Sequence, residues 1–150
     1  MSRGIAELRI AAAGLSLLCL LPAAVSARDA ASEHGPIAWK ESLDEAKKIA
    51  VKEKKIIFMD FWATWCGPCK QMLKTTYQDK DVVARSKQFV PVLIDFDKQP
   101  DVIKKYHIGT IPHVIFIDAK GNVLKKTEPK FLDAKALLKL MDEVAKKNKA

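Results

Sequence analysis

Cysteine is scarce in this chain: three residues among 150, at Cys19, Cys66 and Cys69. So few exclude a disulfide framework. Two at C-x-x-C spacing supply half of what a four-ligand structural zinc site needs. Internal repeats and low-complexity blocks are missing, which excludes solenoid architectures. No apolar run reaches the ~20 residues that span a bilayer. The longest, from Ile10 to Leu21, stops at Pro22. Clusters of lysine with aromatics are missing too, as is any recognised nucleic-acid motif. The net charge of +8 comes from lysines spread along the whole chain. It describes a solvated surface, or at most a preference for acidic partners, and no nucleic-acid partner is expected.

A chain of this length makes one domain with a real core. Residues 1–27 read as a signal peptide: Arg3 and Arg9, an apolar stretch, then Ala24-Val25-Ser26-Ala27 as a cleavage site. Without Arg3, Arg9 and Glu7 the charge would be +7. Export implies an oxidising, periplasmic location, with membrane anchoring as the alternative if the segment is kept. Residues 28–36 read as a flexible lead-in, and the domain is expected over 37–150.

Ile37-Ala38-Trp39 suits a short strand or a clasp onto the core. Ser42-Leu43-Asp44-Glu45 has the form of a capping box, so a helix is expected from Leu43 to about Glu53. Ile56 to Trp62 is a bounded apolar run that suits a strand buried on both faces. A helix follows Cys69 to about Thr76, and a short one runs from Asp79 to Ser86. Strands are expected at Phe89–Phe96, Val114–Ile117 and Val123–Lys126, the last two as a hairpin. Helices are expected at Pro100–Tyr106 and from Asp133 onward. This order predicts an α/β fold with a central mixed β-sheet flanked by helices on both faces.

The chemistry concentrates between Phe58 and Lys70. A buried strand leads to Cys66-Gly67-Pro68-Cys69 at the start of a helix. Backbone N–H groups and the positive end of the helix dipole converge there and favour thiolate. Cys66 is therefore a candidate nucleophile. Cys69, one turn on, is close enough to close a disulfide with it. Asp60 is out of character inside an apolar strand. A buried carboxylate must be paired or become neutral, and this one reads as a proton acceptor beneath the cysteines. Its alternatives are a solvent-facing side chain or a cap.

Two separated motifs now carry a resemblance. Phe61-Trp62-Ala63-x-Trp65-Cys66-Gly67-Pro68-Cys69-Lys70 and Ile108-x-x-Ile111-Pro112 resemble the active-site and cis-proline segments of the thioredoxin superfamily. Cys69 through Val82 is similar to its exported branch, including the C-terminal domain of the transmembrane disulfide reductase. The resemblance implies a thioredoxin fold and protein-disulfide reductase activity through a redox-active Cys66–Cys69 disulfide. No other cofactor and no metal are implied. It implies a cis Pro112 that keeps metals from the thiols and leaves the Ile111 backbone free for a substrate strand. Trp65, Gly67 and Pro68 would form an apolar docking rim. Disulfide-containing proteins would be substrates, a transmembrane disulfide reductase the electron donor, and the protein a monomer.

Four departures matter. The mid-helix proline that thioredoxin carries after its cysteines is absent, and Lys74 stands near that place. The lysine near thioredoxin's buried aspartate aligns with Leu93, which would leave Asp60 without a cation. Glu128-Pro129-Lys130 replaces a groove glycine. His113 follows the proline, either facing solvent or stabilising a thiolate. The second possibility keeps open a disulfide oxidase or isomerase on the same fold. A metal-carrier module and a non-catalytic chaperone are the remaining alternatives.

Overall fold

The computed structural model describes residues 34–147. The leader 1–27, with Cys19, and residues 28–33 of the lead-in lie outside the described residues.

Ser42 caps the first helix, α1 (Leu43–Glu53), by accepting a hydrogen bond from the Glu45 N–H at 3.3 Å. Leu43, Ala46 and Ala50 face the core. Lys54 then turns left-handed, at φ 53°, and ends the helix. The sheet follows: β1 (Ile56–Trp62), β2 (Phe89–Asp95), β3 (His113–Ile117) and β4 (Val123–Lys126), in spatial order β2-β1-β3-β4. β1 runs parallel to β2 and antiparallel to β3, and β3 pairs antiparallel with β4. The sheet is mixed, as its sequence order implies.

Central β1 divides its side chains between two layers, because strand residues alternate faces. Ile56 and Phe58 pack with Met72 and Leu73 of α2 (Gly67–Lys74) and with Tyr77 of a 3-10 turn (Thr76–Gln78). Val82 of α3 (Lys80–Ser86) and Leu137, Met141 and Val144 of α5 (Ala134–Lys147) complete that layer. Ile57, Met59 and Phe61 face α1, with Tyr106 and Ile108 just beyond α4 (Pro100–Lys105). Helices therefore cover both faces, and the fold is the α/β thioredoxin fold.

Two details differ from the sequence expectation or resolve it. The helix after Cys69 ends at Lys74 rather than Thr76. Hydroxyls of Thr75 and Thr76 compete with helical bonding: Thr75 donates to the Gln71 carbonyl, and Thr76 to Leu132 O at 2.6 Å, pinning the chain to the approach of α5. The 37–39 segment is a clasp rather than a strand. Lys40 N–H donates to Pro91 O and Lys40 O accepts from Leu93 N–H, a single parallel bridge onto the edge of β2.

Candidate active site

β1 delivers the chain to the top of the sheet, and α2 begins at once. Cys66 is the N-cap of α2, with extended backbone dihedrals. Pro68 takes one of the first helical positions, where its missing N–H has no helical partner to lose. Cys66 and Cys69 are joined by a disulfide, their Cα atoms 5.3 Å apart. The Cys69 N–H also donates to Cys66 Sγ at 3.2 Å. This is an N-cap bond with sulfur as acceptor, in the place where it would stabilise a thiolate on Cys66. Cys69 is fully buried and Cys66 is 4% exposed. The two sulfurs close a small apolar cluster with Ala63, Trp62, Phe96 and Ile111.

The Ile111–Pro112 peptide bond is cis. It leads into β3, and Pro112 is buried while Ile111 is half-buried against the cysteine cluster. Neither the N–H nor the C=O of Ile111 has a hydrogen-bond partner among the described residues. Trp65, Gly67 and Pro68 are all exposed beside the pair, and Trp65 keeps 62% of its surface in solvent. The three residues named for a docking rim are thus exposed in one place.

Trp65 is held there by a residue that the sequence did not single out. Its indole Nε1–H donates to Asp97 Oδ2 at 2.8 Å, and its ring meets Phe96 edge-on at 6.2 Å. Asp95 sets up that carboxylate by accepting from the N–H groups of Asp97 and Lys98, which folds the turn after β2. Asp97 lay in a polar turn with no distinguishing spacing, 32 residues from its partner. An exposed hydrogen bond to a charged group is worth about 1 kcal/mol. Asp97→Ala is therefore expected to loosen Trp65 and lower kcat/KM on protein disulfides by about fivefold, mainly through KM. Stopped-flow indole fluorescence and steady-state kinetics check it; an unchanged KM would remove Trp65 from the docking rim.

Asp60 is fully buried. It lies on the β1 face that carries Phe58 and is covered by α2 and α5, so neither the solvent-facing nor the capping alternative holds. Leu93 of β2 and Val114 of β3 sit opposite it in register. The missing cation is thus real: an aliphatic residue stands in that place. Burial pushes the Asp60 carboxyl up to about 8, with the Tyr77 hydroxyl pulling modestly the other way. Neither carboxyl oxygen nor the Tyr77 hydroxyl has a closed hydrogen bond. Tyr77 also went unnoticed in the sequence, where it reads as one more core aromatic after a helix.

His113 overturns the solvent-facing expectation. It is 5% exposed, so it does not face solvent. It shares the inner face of β3 with Ile115 and Ile117, edge-on to Phe61 at 6.5 Å. Burial and the nearby Lys126 lower its proton affinity, so it is neutral near pH 7 and supplies no positive charge. Among the described residues no group of three or more His, Cys, Asp or Glu is close enough to hold a metal ion.

The thioredoxin family profile matches residues 39–143. The chain belongs to the thioredoxin family. This thioredoxin-family chain is 36% identical over 75 residues to Thioredoxin-1 of Drosophila melanogaster, covering 49% of itself and 67% of that protein. It is 33% identical over 86 residues to the thiol:disulfide interchange protein DsbD of Vibrio vulnificus, covering 55% of itself but only 14% of that longer protein. Among solved structures, a candidate disulphide-isomerase from Bacteroides thetaiotaomicron is 32% identical with a TM-score of 0.60, over 69% of this chain and 89% of that one. The DsbH oxidoreductase, 20% identical with a TM-score of 0.66 over 75% and 86% of the two chains, shares the fold. Family and disulfide together make this a thioredoxin-like thiol-disulfide oxidoreductase acting through Cys66 and Cys69. The disulfide is itself the redox group, and the family normally needs no further cofactor.

Proposed function

We propose that this thioredoxin-family protein reduces disulfides in exported proteins, with Cys66 as nucleophile and Cys69 as resolving thiol. The observation that carries the reading is the asymmetry of the pair. Cys66 sits at a helix N-terminus with an N–H aimed at its sulfur, while Cys69 is sealed within the core. A thiolate on Cys66 attacks one sulfur of the partner's disulfide, and the other leaves as a thiolate that takes a proton from solvent. Cys69 then attacks Cys66 Sγ, the mixed disulfide breaks, and the second partner sulfur departs. The Cys69 proton passes to Asp60, through a bridging water where the groups do not touch. The Cys66–Cys69 disulfide remains, holding the two electrons' worth of oxidation taken from the partner.

Substrate docks on the rim of Trp65, Gly67 and Pro68. The unpaired Ile111 N–H and C=O offer a short edge to which an extended partner segment adds as a strand. Pro112 fixes that edge beside the sulfurs. A Lys-rich surface favours acidic partners. The protein works as a monomer in the periplasm. The leader-like residues 1–27 and the similarity to a DsbD segment support that location, and no helix among the described residues is long and apolar enough to cross a membrane. A reductant in an oxidising compartment needs electrons from across the membrane, so a transmembrane disulfide reductase is the donor.

The reducing direction is supported by how few groups are placed to hold a Cys66 thiolate. Among the described residues one hydrogen bond reaches Cys66 Sγ, and His113 is neutral. Strong oxidants on this fold stabilise the thiolate much further, reaching about −120 mV against about −270 mV for thioredoxin. Equilibration with glutathione is expected to give a potential below about −220 mV. A value near −120 mV would overturn the reductase reading in favour of an oxidase.

A further inference from the structure

We propose that Tyr77 is a positioning residue for Asp60: its hydroxyl donates to the ionised carboxylate and so sets the pH range in which Asp60 accepts the Cys69 proton. The proposal rests on the reading of Asp60 as that acceptor. Its basis is a pairing of orphans. Asp60 and Tyr77 are both fully buried, and neither carboxyl oxygen nor the phenol oxygen has a hydrogen-bond partner among the described residues. Buried polar groups are almost always satisfied, so two unsatisfied groups that act on each other point to a bond made in one protonation state.

The surroundings narrow the choice of donor. Leu93 flanks Asp60 from β2 and Val114 from β3. Met72 and Leu73 line this layer from α2, the helix whose first turn carries Cys69, and Leu137 and Met141 line it from α5. Phe58 shares the Asp60 face of β1, and its ring packs 6.2 Å from that of Tyr77. Trp39 meets the Tyr77 ring edge-on at 5.0 Å and packs on Phe58 as well, closing a three-ring cluster. The phenol is therefore held by packing, and with Cys66 and Cys69 joined as a disulfide it is the one titratable group among the described residues that acts on Asp60.

The chemistry explains why such a donor matters. A neutral carboxyl cannot accept a proton. Burial in an apolar layer keeps Asp60 neutral over most of the neutral range, its proton leaving only near pH 8. A donor that bonds the ionised form works against burial and holds the carboxylate within reach of physiological pH. In the resolving step Asp60 takes the Cys69 proton as the sulfur–sulfur bond forms, and Tyr77 keeps its own. The phenol loses no proton at any point, since its own ionisation is pushed well above the usual tyrosine range by the same burial.

Tyr77→Phe keeps the ring packing and deletes the donor. Cys66 is first converted to a mixed disulfide with a chromogenic aryl thiol, and release of that thiol by Cys69 is followed between pH 5 and 9. The inflection of the rate profile is expected to move up by about one pH unit, with about tenfold slower release at pH 7. The Asp60 carboxyl signal in carbon-13 NMR of the reduced protein is expected to titrate higher by the same interval. Adding Tyr77→Phe to Asp60→Asn is expected to slow release no further. An unmoved Asp60 titration, or a profile that shifts equally in the Asp60→Asn background, overturns the role of Tyr77 while leaving Asp60 as acceptor. If Asp60→Asn alone releases thiol at the wild-type rate, the acceptor reading fails, and the role of Tyr77 with it.

Discussion

Cys66→Ser is expected to abolish turnover of protein disulfides, and Cys69→Ser to stop it one step later. The two losses differ in kind. A serine hydroxyl at position 66 is not ionised at neutral pH, and neither the helix N-terminus nor the Cys69 N–H can make it a nucleophile toward sulfur. Insulin reduction with dithiothreitol should fall at least ~10³-fold to the uncatalysed rate. Cys69→Ser leaves Cys66 intact. Its first attack should proceed, and the mixed disulfide should then persist, because no second thiol remains among the described residues. Mass spectrometry of the purified variant should find Cys66 still bonded to partner proteins. Those partners would identify the natural substrates. Catalysis surviving Cys66→Ser would instead point to the chaperone reading, and stable partners on Cys66→Ser but none on Cys69→Ser would reverse the order of the two sulfurs.

Asp60→Asn is expected to stabilise the fold at pH 8 while slowing the resolving step. Asp60 ionises near its ordinary 3.8 in the unfolded chain and at about 8 in the fold. Below pH 4 both states hold the proton and the carboxyl costs little. As pH rises from 4 to 8 the unfolded chain releases its proton while the fold retains it, so stability falls. Above about 8 both states are ionised and the loss levels off. One pH unit of mismatch is about 1.4 kcal/mol, so the full interval is worth on the order of 5 kcal/mol. An unpaired asparagine amide gives back about 1–3 kcal/mol of this. The net gain expected for Asp60→Asn at pH 8 is therefore about 3 kcal/mol, shrinking to nothing or reversing near pH 4. Urea unfolding of the oxidised protein at several pH values checks it. A wild-type stability that is flat between pH 4 and 8 would contradict a buried, neutral Asp60.

The elements with strong local signals were legible in the sequence. The capping box at Ser42 set the start of α1, and the bounded apolar run gave β1 from Ile56 to Trp62. Asp60 and the C-x-x-C pair were visible because each violates its surroundings. What stayed hidden depends on contacts distant in sequence. Trp65 and Asp97 meet only because β2 lies parallel to β1 and both strands end at the same height. Tyr77 looks like any core aromatic until the layer folds and buries its hydroxyl on the same side of the sheet as Asp60. His113 was misjudged because residues beside an active-site proline are easily imagined as facing the site. Strand alternation instead sends its ring inward with Ile115 and Ile117. The premature end of α2 belongs to the same class, since Thr76 chooses a carbonyl 56 residues away.

The outer strand β4 has a consequence for life at high concentration. It spans four residues, pairs with β3 across an irregularity at Phe116/Ile117, and ends in two lysines. Lys125 reaches Glu143 on α5, and Lys126 donates to the carbonyls of Tyr106 and His107. A border so brief, bent and charged is a poor template for cross-strand polymerisation. With clients docked beside Ile111 as proposed above, strand addition would stay at the sulfur end of the sheet, and β4 would offer them no margin along which to build fibrils.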